Sequence, residues 1–155
     1  MRWRDLLAPW GLTKLNLKAG FVDMEFQPQD EDRKAAWELY VELATRVASQ
    51  ALPPDQGVDK AAMASLYSLF GTTREILKRY GPGTRSVAPV AIAVLNDVLR
   101  PFLTRWHESF DAARPLTEAE STQFRRDLEQ TRRDLLAFID NLAQIAGAHT
   151  PRSAA

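Results

Sequence analysis

TEAESTQFRRDLEQTRRDLLAFIDNLAQIAG, at residues 117–147, is the stretch that decides the fold. Phe124, Leu128, Thr131, Leu135, Phe138, Leu142 and Ile145 are spaced alternately four and three residues apart, an unbroken heptad seam along one side of an α-helix. Thr117 and Glu120 have capping-box spacing, and Gly147 stands where a C-terminal helix stop belongs. Leu136 and Ile139 widen the seam in its second half to the breadth of a globular core face. The helix reads first as one wall of an intramolecular bundle. Its second use is self-association. RRDL occurs at 125–128 and again at 132–135, and with Leu128 at an a position Asp127 faces Arg132 of a parallel second copy. Phe124, Asp127, Leu128 and Arg132 are therefore candidate partner-binding residues.

Working back along the chain, residues 30–52 predict a first long helix, opened by Asp30, Glu31 and Asp32 where the helix dipole favours negative charge and stopped by Pro53 and Pro54. From Trp37 onward its apolar residues cover most of the circumference, which predicts a central position. Glu42 precedes Arg46 by four, the favourable order for a surface pair. A second helix is expected over 59–70, broken at Gly71, restarting with Thr72 and Glu75 at capping-box spacing and ending at Tyr80. A third starts near Ser86 and carries Ala91, Val94, Leu95, Val98, Phe102 and Trp106 at helical spacing. Pro101 is expected to kink or break it, because the ring removes a backbone donor and crowds the preceding turn.

Ahead of these helices, Trp3, Leu6, Leu7 and Trp10 fall on one face of a short helix flanked by Arg2, Arg4 and Lys14. Leu15 and Leu17, then Val22, Met24 and Phe26, alternate with polar residues around Ala19-Gly20, which predicts a small β-hairpin. The tail AHTPRSAA at 148–155 reads as disordered. The expectation is an all-α fold: one compact bundle of four or five helices over residues 1–147, with the helix and hairpin of residues 1–28 packed on it.

Composition narrows function by exclusion. The chain has 155 residues, 20 Lys+Arg against 20 Asp+Glu, no cysteine and two histidines, His107 and His149. Disulfides, thiolate metal sites and cysteine nucleophiles are excluded, and two imidazoles do not make a histidine metal centre. Neutral net charge removes the general attraction to nucleic acid or anionic membrane of a basic protein. The N-terminus lacks a secretory apolar stretch, since Asp5 and Pro9 interrupt it, and residues 87–95, the most apolar window, fall short of a bilayer span. A cytoplasmic protein with no metal and no cofactor is the expectation. Fifteen arginines against five lysines hint at a GC-rich bacterial genome.

One segment carries a catalytic pattern. In Arg100-Pro-Phe-Leu-Thr-Arg-Trp-His107, the arginine and histidine lie two helical turns apart and project from one face. The spacing resembles the R-x4-6-H motif of the HEPN family, small all-helical proteins of which many are metal-independent ribonucleases of toxin–antitoxin and antiphage systems. The resemblance implies His107 as acid/base and Arg100 as phosphate ligand, with Asn96 or Asp97 orienting them and RNA as the substrate. Imidazole titrates near the working pH, and guanidinium stabilises developing phosphate charge. The structural alternative puts Trp106 and His107 at the end of the bundle with Arg100 in solvent.

Three other features have mainly structural readings. Arg125, Arg126, Arg132 and Arg133 line one flank of the last helix, yet Glu129 is spaced to pair with Arg125 and Arg133. Gly71-Thr72-Thr73-Arg74 lacks the full phosphate-loop pattern. Glu38 and Glu42 share a face without the Glu-x-x-His pairs of a di-iron bundle. The tryptophan face of residues 3–10 is the better partner lead, since tryptophan is enriched among interface hot spots. The leading expectation is a non-enzymatic interaction or assembly module, acting through a larger protein partner or by self-association. The alternative is a HEPN-like ribonuclease, and no DNA partner is expected.

Overall fold

The computed structural model describes residues 27–46, 59–112 and 114–148. They form four helices: α1 (Asp30–Ala44), α2 (Asp59–Tyr80), α3 (Val87–Asp111) and α4 (Glu118–Ala146). No strand occurs among the described residues, so the all-α class stands. The expected hairpin and the tryptophan face, with Trp3, Leu6, Leu7 and Trp10, lie outside them, as does nearly all of the tail.

α4 follows its sequence pattern closely. Glu120 N–H donates to Thr117 Oγ1 at 3.2 Å, and Glu120 Oε2 accepts the Thr117 N–H at 2.8 Å. At the other end Gly147 takes φ +71°, and the N–H groups of Gly147 and Ala148 donate to the carbonyls of Gln144 and Ala143, a Schellman stop. All seven seam residues are buried. The second half widens through Ile139, Asn141 and Ala143, whereas Leu136 faces outward. Where α4 begins, Phe124 takes the rings of Phe102, Trp106 and Phe110 of α3 at centroid distances of 5.5, 5.3 and 5.0 Å.

α1 packs chiefly on α4. It buries Ala35, Ala36, Leu39 and Leu43 but leaves Trp37 and Val41 exposed, so it is amphipathic and not enclosed. It ends at Ala44, short of the expected residue 52. Thr45 turns its N–H and its hydroxyl onto the Val41 carbonyl, while the Arg46 side chain leaves for Ser68 and Thr72 of α2.

α2 runs unbroken through Gly71, against expectation. Ala62, Leu66, Leu69, Thr73 and Ile76 form one buried stripe on both sides of the glycine. A mid-helix glycine costs about 1 kcal/mol relative to alanine. Each large buried side chain contributes roughly 1.5–3 kcal/mol, so continuity of the stripe wins.

Pro101 does not break α3 either. The helix widens into a π turn at Val94–Leu99, where the Arg100 N–H donates to the carbonyl of Leu95, five residues back. That extra residue per turn makes room for the proline ring, which then occupies the second position of the α-helical segment Arg100–Asp111. By length and composition α3 could cross a bilayer. In this bundle it is a core helix, with Val87, Val90, Ala91, Val94, Leu99 and Trp106 buried among its neighbours.

The α2–α3 corner depends on one carboxylate. Asp32, 0% exposed, accepts the N–H groups of Ser86 and Val87 on Oδ1 at 3.0 and 2.8 Å, and that of Gln29 on Oδ2 at 2.9 Å. It sits at the N-termini of α1 and α3 together, where two helix dipoles present positive ends. Beside it the 3-10 turn Gly81–Thr84 passes so near Glu31 that a Cβ on Gly83 would stand 2.6 Å from Glu31 Cγ.

Candidate functional site

The four-residue turn after α2 makes α2 and α3 antiparallel neighbours, and a groove opens between them. It consists of two hollows of about 640 and 450 Å³ that share Phe70, Arg74 and Arg100. No residue of α1 or α4 lines either hollow. The floor is apolar, made by Phe70 and Leu77 of α2 with Leu95 and Leu103 of α3. Tyr67, 69% exposed, lines one hollow and Ile92, 50% exposed, the other.

Both residues of the R-x-H pattern open onto this groove, so the structure brings Arg100 and His107 to one surface. Arg100 is held in place. Its Nε and Nη2 donate to Asn96 Oδ1 at 3.1 and 3.0 Å, and its guanidinium lies 4.9 Å from the centre of the Phe70 ring. Asn96 therefore takes the orienting place that the sequence offered to Asn96 or Asp97. His107 pairs through Nε2 with Asp111 Oδ2 at 3.0 Å, one turn on, with both side chains about two-thirds exposed. Trp106 points the opposite way, into the core, so the two neighbours do not act as a pair.

Cations without an acidic partner gather along the groove, although Lys34, Lys60, Arg85 and Arg126 also lack one elsewhere among the described residues. Most of the described arginines hold an acidic side chain: Arg33 with Asp30, Arg79 with Glu38, Arg105 with Asp127, Arg125 with Asp59. Arg74 and Lys78 meet no carboxylate among the described residues, and Arg100 has only the neutral Asn96. Glu108 is the one acid in the lining. The rim is a row of cations over an apolar floor.

The seam residues offered for self-association are taken up within the chain. Phe124 and Leu128 are 0% and 5% exposed, and Phe124 is packed by the rings of Phe102, Trp106 and Phe110. Asp127 accepts the Trp106 indole N–H at 3.0 Å and the amide of Gln123 at 2.8 Å, and it pairs with Arg105. Arg132 makes two hydrogen bonds of 2.7 Å to Glu129. None of the four faces a partner in this arrangement.

Three of the four arginines on the α4 flank hold an acid, with a change of partner from the one expected, and Arg126 meets no carboxylate among the described residues. Glu129 takes Arg132 and Arg133, and Arg125 reaches across to Asp59 of α2. The hydrogen bonds from Arg132 hold the Glu129 carboxyl below its ordinary range. Glu38 binds Arg79 and the hydroxyl of Tyr80, and that bond raises the phenol above its ordinary value. Among the described residues no three potential metal ligands come together.

Tyr67, Ile92 and Lys78 were not visible as site residues in the sequence. A signal existed, because Tyr67 stands off the 62–66–69–73–76 stripe and Ile92 off the buried face of α3. No family profile, curated protein or solved structure matches the chain.

Proposed function

We propose that this protein is a non-enzymatic interaction module of the cytoplasm, working through a larger protein that docks in the groove between α2 and α3. One observation carries the reading: an apolar floor with two exposed apolar side chains is rimmed by three cations that lack acidic partners, whereas most of the described arginines are paired. A solvated helix flank gains from pairing its charges, as three of the four arginines on the α4 flank do, and exposed apolar side chains clustered with polar rims mark interaction sites. Arg100 and His107 then act as contacts for the partner. The test is photo-crosslinking in cells, with benzoylphenylalanine in place of Tyr67 or Ile92 and, as controls, in place of Trp37 or Leu136. Adducts of one discrete mass at the first two positions alone are expected. Adducts at the control positions alone, or at none, would overturn the groove as the docking face.

A second reading has its own observation, that Arg100 and His107 share a surface with the spacing of the HEPN-like motif. It predicts cleavage of a mixed RNA pool by the purified protein in EDTA, lost in His107→Ala. Intact RNA with the wild-type protein, alone and after addition of any crosslinked partner, would eliminate it.

A further inference from the structure

Gly71 is a residue for which the fold supplies no reason. It sits inside α2 with ordinary helical backbone, where glycine costs about 1 kcal/mol relative to alanine. A Cβ built there meets nothing within 4 Å among the described residues, so the packing of the described helices does not require its absence. Gly71 lines the groove between Tyr67 and Arg74. A glycine at such a point lets another backbone approach closely.

The dimensions and charges say which kind of backbone. At a helical rise of about 1.5 Å per residue, Tyr67 to Lys78 spans roughly 16 Å and Ile92 to His107 roughly 22 Å. That length takes a helix of three to four turns, and a trough between two helices suits an amphipathic helix laid apolar face down. The unpaired Arg74, Lys78 and Arg100 would then flank it, which calls for acidic residues on its sides. The chain's own N-terminal stretch fits poorly, because Arg2, Arg4 and Lys14 would bring like charge to the rim. We infer that the occupant of the α2/α3 groove is an amphipathic helix of a partner protein, acidic along its flanks, crossing α2 over Gly71. This inference rests on the docking reading above.

The test uses the full chain and three labelled peptides of about 14 residues, followed by fluorescence anisotropy. One peptide has a leucine stripe with glutamate flanks, one the same stripe with lysine flanks, and one glutamates with the stripe scrambled. The glutamate-flanked amphipathic peptide is expected to bind at least about tenfold tighter than either of the others. Gly71→Trp should weaken it at least about tenfold by filling the groove, with no loss in unfolding midpoint because no described residue occupies that space. The double variant Arg74→Glu/Arg100→Glu should reverse the preference between flanks. Equal binding of both striped peptides would overturn the acidic assignment, and binding insensitive to Gly71→Trp the crossing point. If no peptide binds while the crosslinks at Tyr67 and Ile92 persist, the helix inference fails and the docking reading stands; if the crosslinks are absent too, both fail. Two further results would replace the occupant: single-stranded RNA that binds more tightly than any peptide and is lost with Arg100→Glu, or a sedimenting dimer abolished by Gly71→Trp.

Discussion

Removing the Asp32 carboxylate should be among the most damaging single changes to this fold. The side chain is fully enclosed and accepts three backbone N–H groups, two of them at the start of α3. In Asp32→Ala the Ser86 and Val87 donors stay buried with no acceptor, while Gln29, at the surface, can turn to water. An unsatisfied buried donor costs about 1–3 kcal/mol. Two of them, partly relieved by water entry, give an expected loss of about 3–5 kcal/mol against a total of about 5–15 kcal/mol for a domain. Asp32→Asn keeps one oxygen for Ser86 and Val87 but presents an amide NH2 to Gln29, and should cost about 1–2 kcal/mol. The control is Asp30→Ala, which removes an exposed member of the same acidic run and should cost about 0.3–1 kcal/mol through the helix dipole. The assay is urea unfolding followed by far-UV circular dichroism, comparing midpoints at unchanged slope. If Asp32→Ala lies within about 1 kcal/mol of wild type, or no worse than Asp30→Ala, the corner is not held by this carboxylate and the reasoning is refuted.

Gly83→Ala should destabilise by about 1–3 kcal/mol, read from the same unfolding curves, because its Cβ would overlap the Glu31 side chain near its root, where it cannot swing aside. Gly71→Ala should do the opposite and raise stability by about 0.5–1 kcal/mol; a loss would mean that α2 bends there. Phe124→Ala should cost about 3–5 kcal/mol without changing the sedimenting mass, whereas a change in mass at unaltered stability would return the seam to self-association. The hydrogen bonds from Arg114, then from the Thr117 backbone, lower Glu120 from 4.5 to about 2, so the folded state favours its ionised form. The resulting stabilisation is complete above the unfolded value and is lost as pH falls from about 5 towards 2; the gap in urea midpoint between wild type and Glu120→Gln should close over that window, and a constant gap would exclude the linkage.

The parts of this structure legible in the sequence are those whose causes are local. α4 could be bounded at both ends because a capping box and a Schellman glycine act within a few residues of themselves. Gly71 and Pro101 misled because their local penalties are small beside the packing on either side: the α2 stripe carries the helix past the glycine, and a π turn absorbs the proline. Asp32 reads as helix-start charge by its neighbours in sequence. Its decisive partners, Ser86 and Val87, are 54 and 55 residues away, and no short-range pattern announces them. The pairing of Arg125 with Asp59 was hidden for the same reason.

A heptad seam states that a face is covered without stating by what. Here α1 covers much of it and the aromatic side chains of α3 cover its start at Phe124, and its regularity therefore reports on the core. The departures from regularity are more informative. A glycine with helical backbone, a tyrosine and an isoleucine off their buried stripes, and Arg74, Lys78 and Arg100 without carboxylates are each neutral or mildly unfavourable for the isolated chain. Scattered, they would be ordinary surface noise. They converge on one groove, and locally unrewarded choices that share a surface are best explained by contacts made there with something else. Arg100 shows the link most directly. Asn96 and Phe70 fix its position without neutralising it, so a full positive charge is held ready at the middle of an apolar trough. Pre-ordering that side chain lowers the entropy a ligand must overcome on docking, and leaving the charge unpaired selects an acidic one.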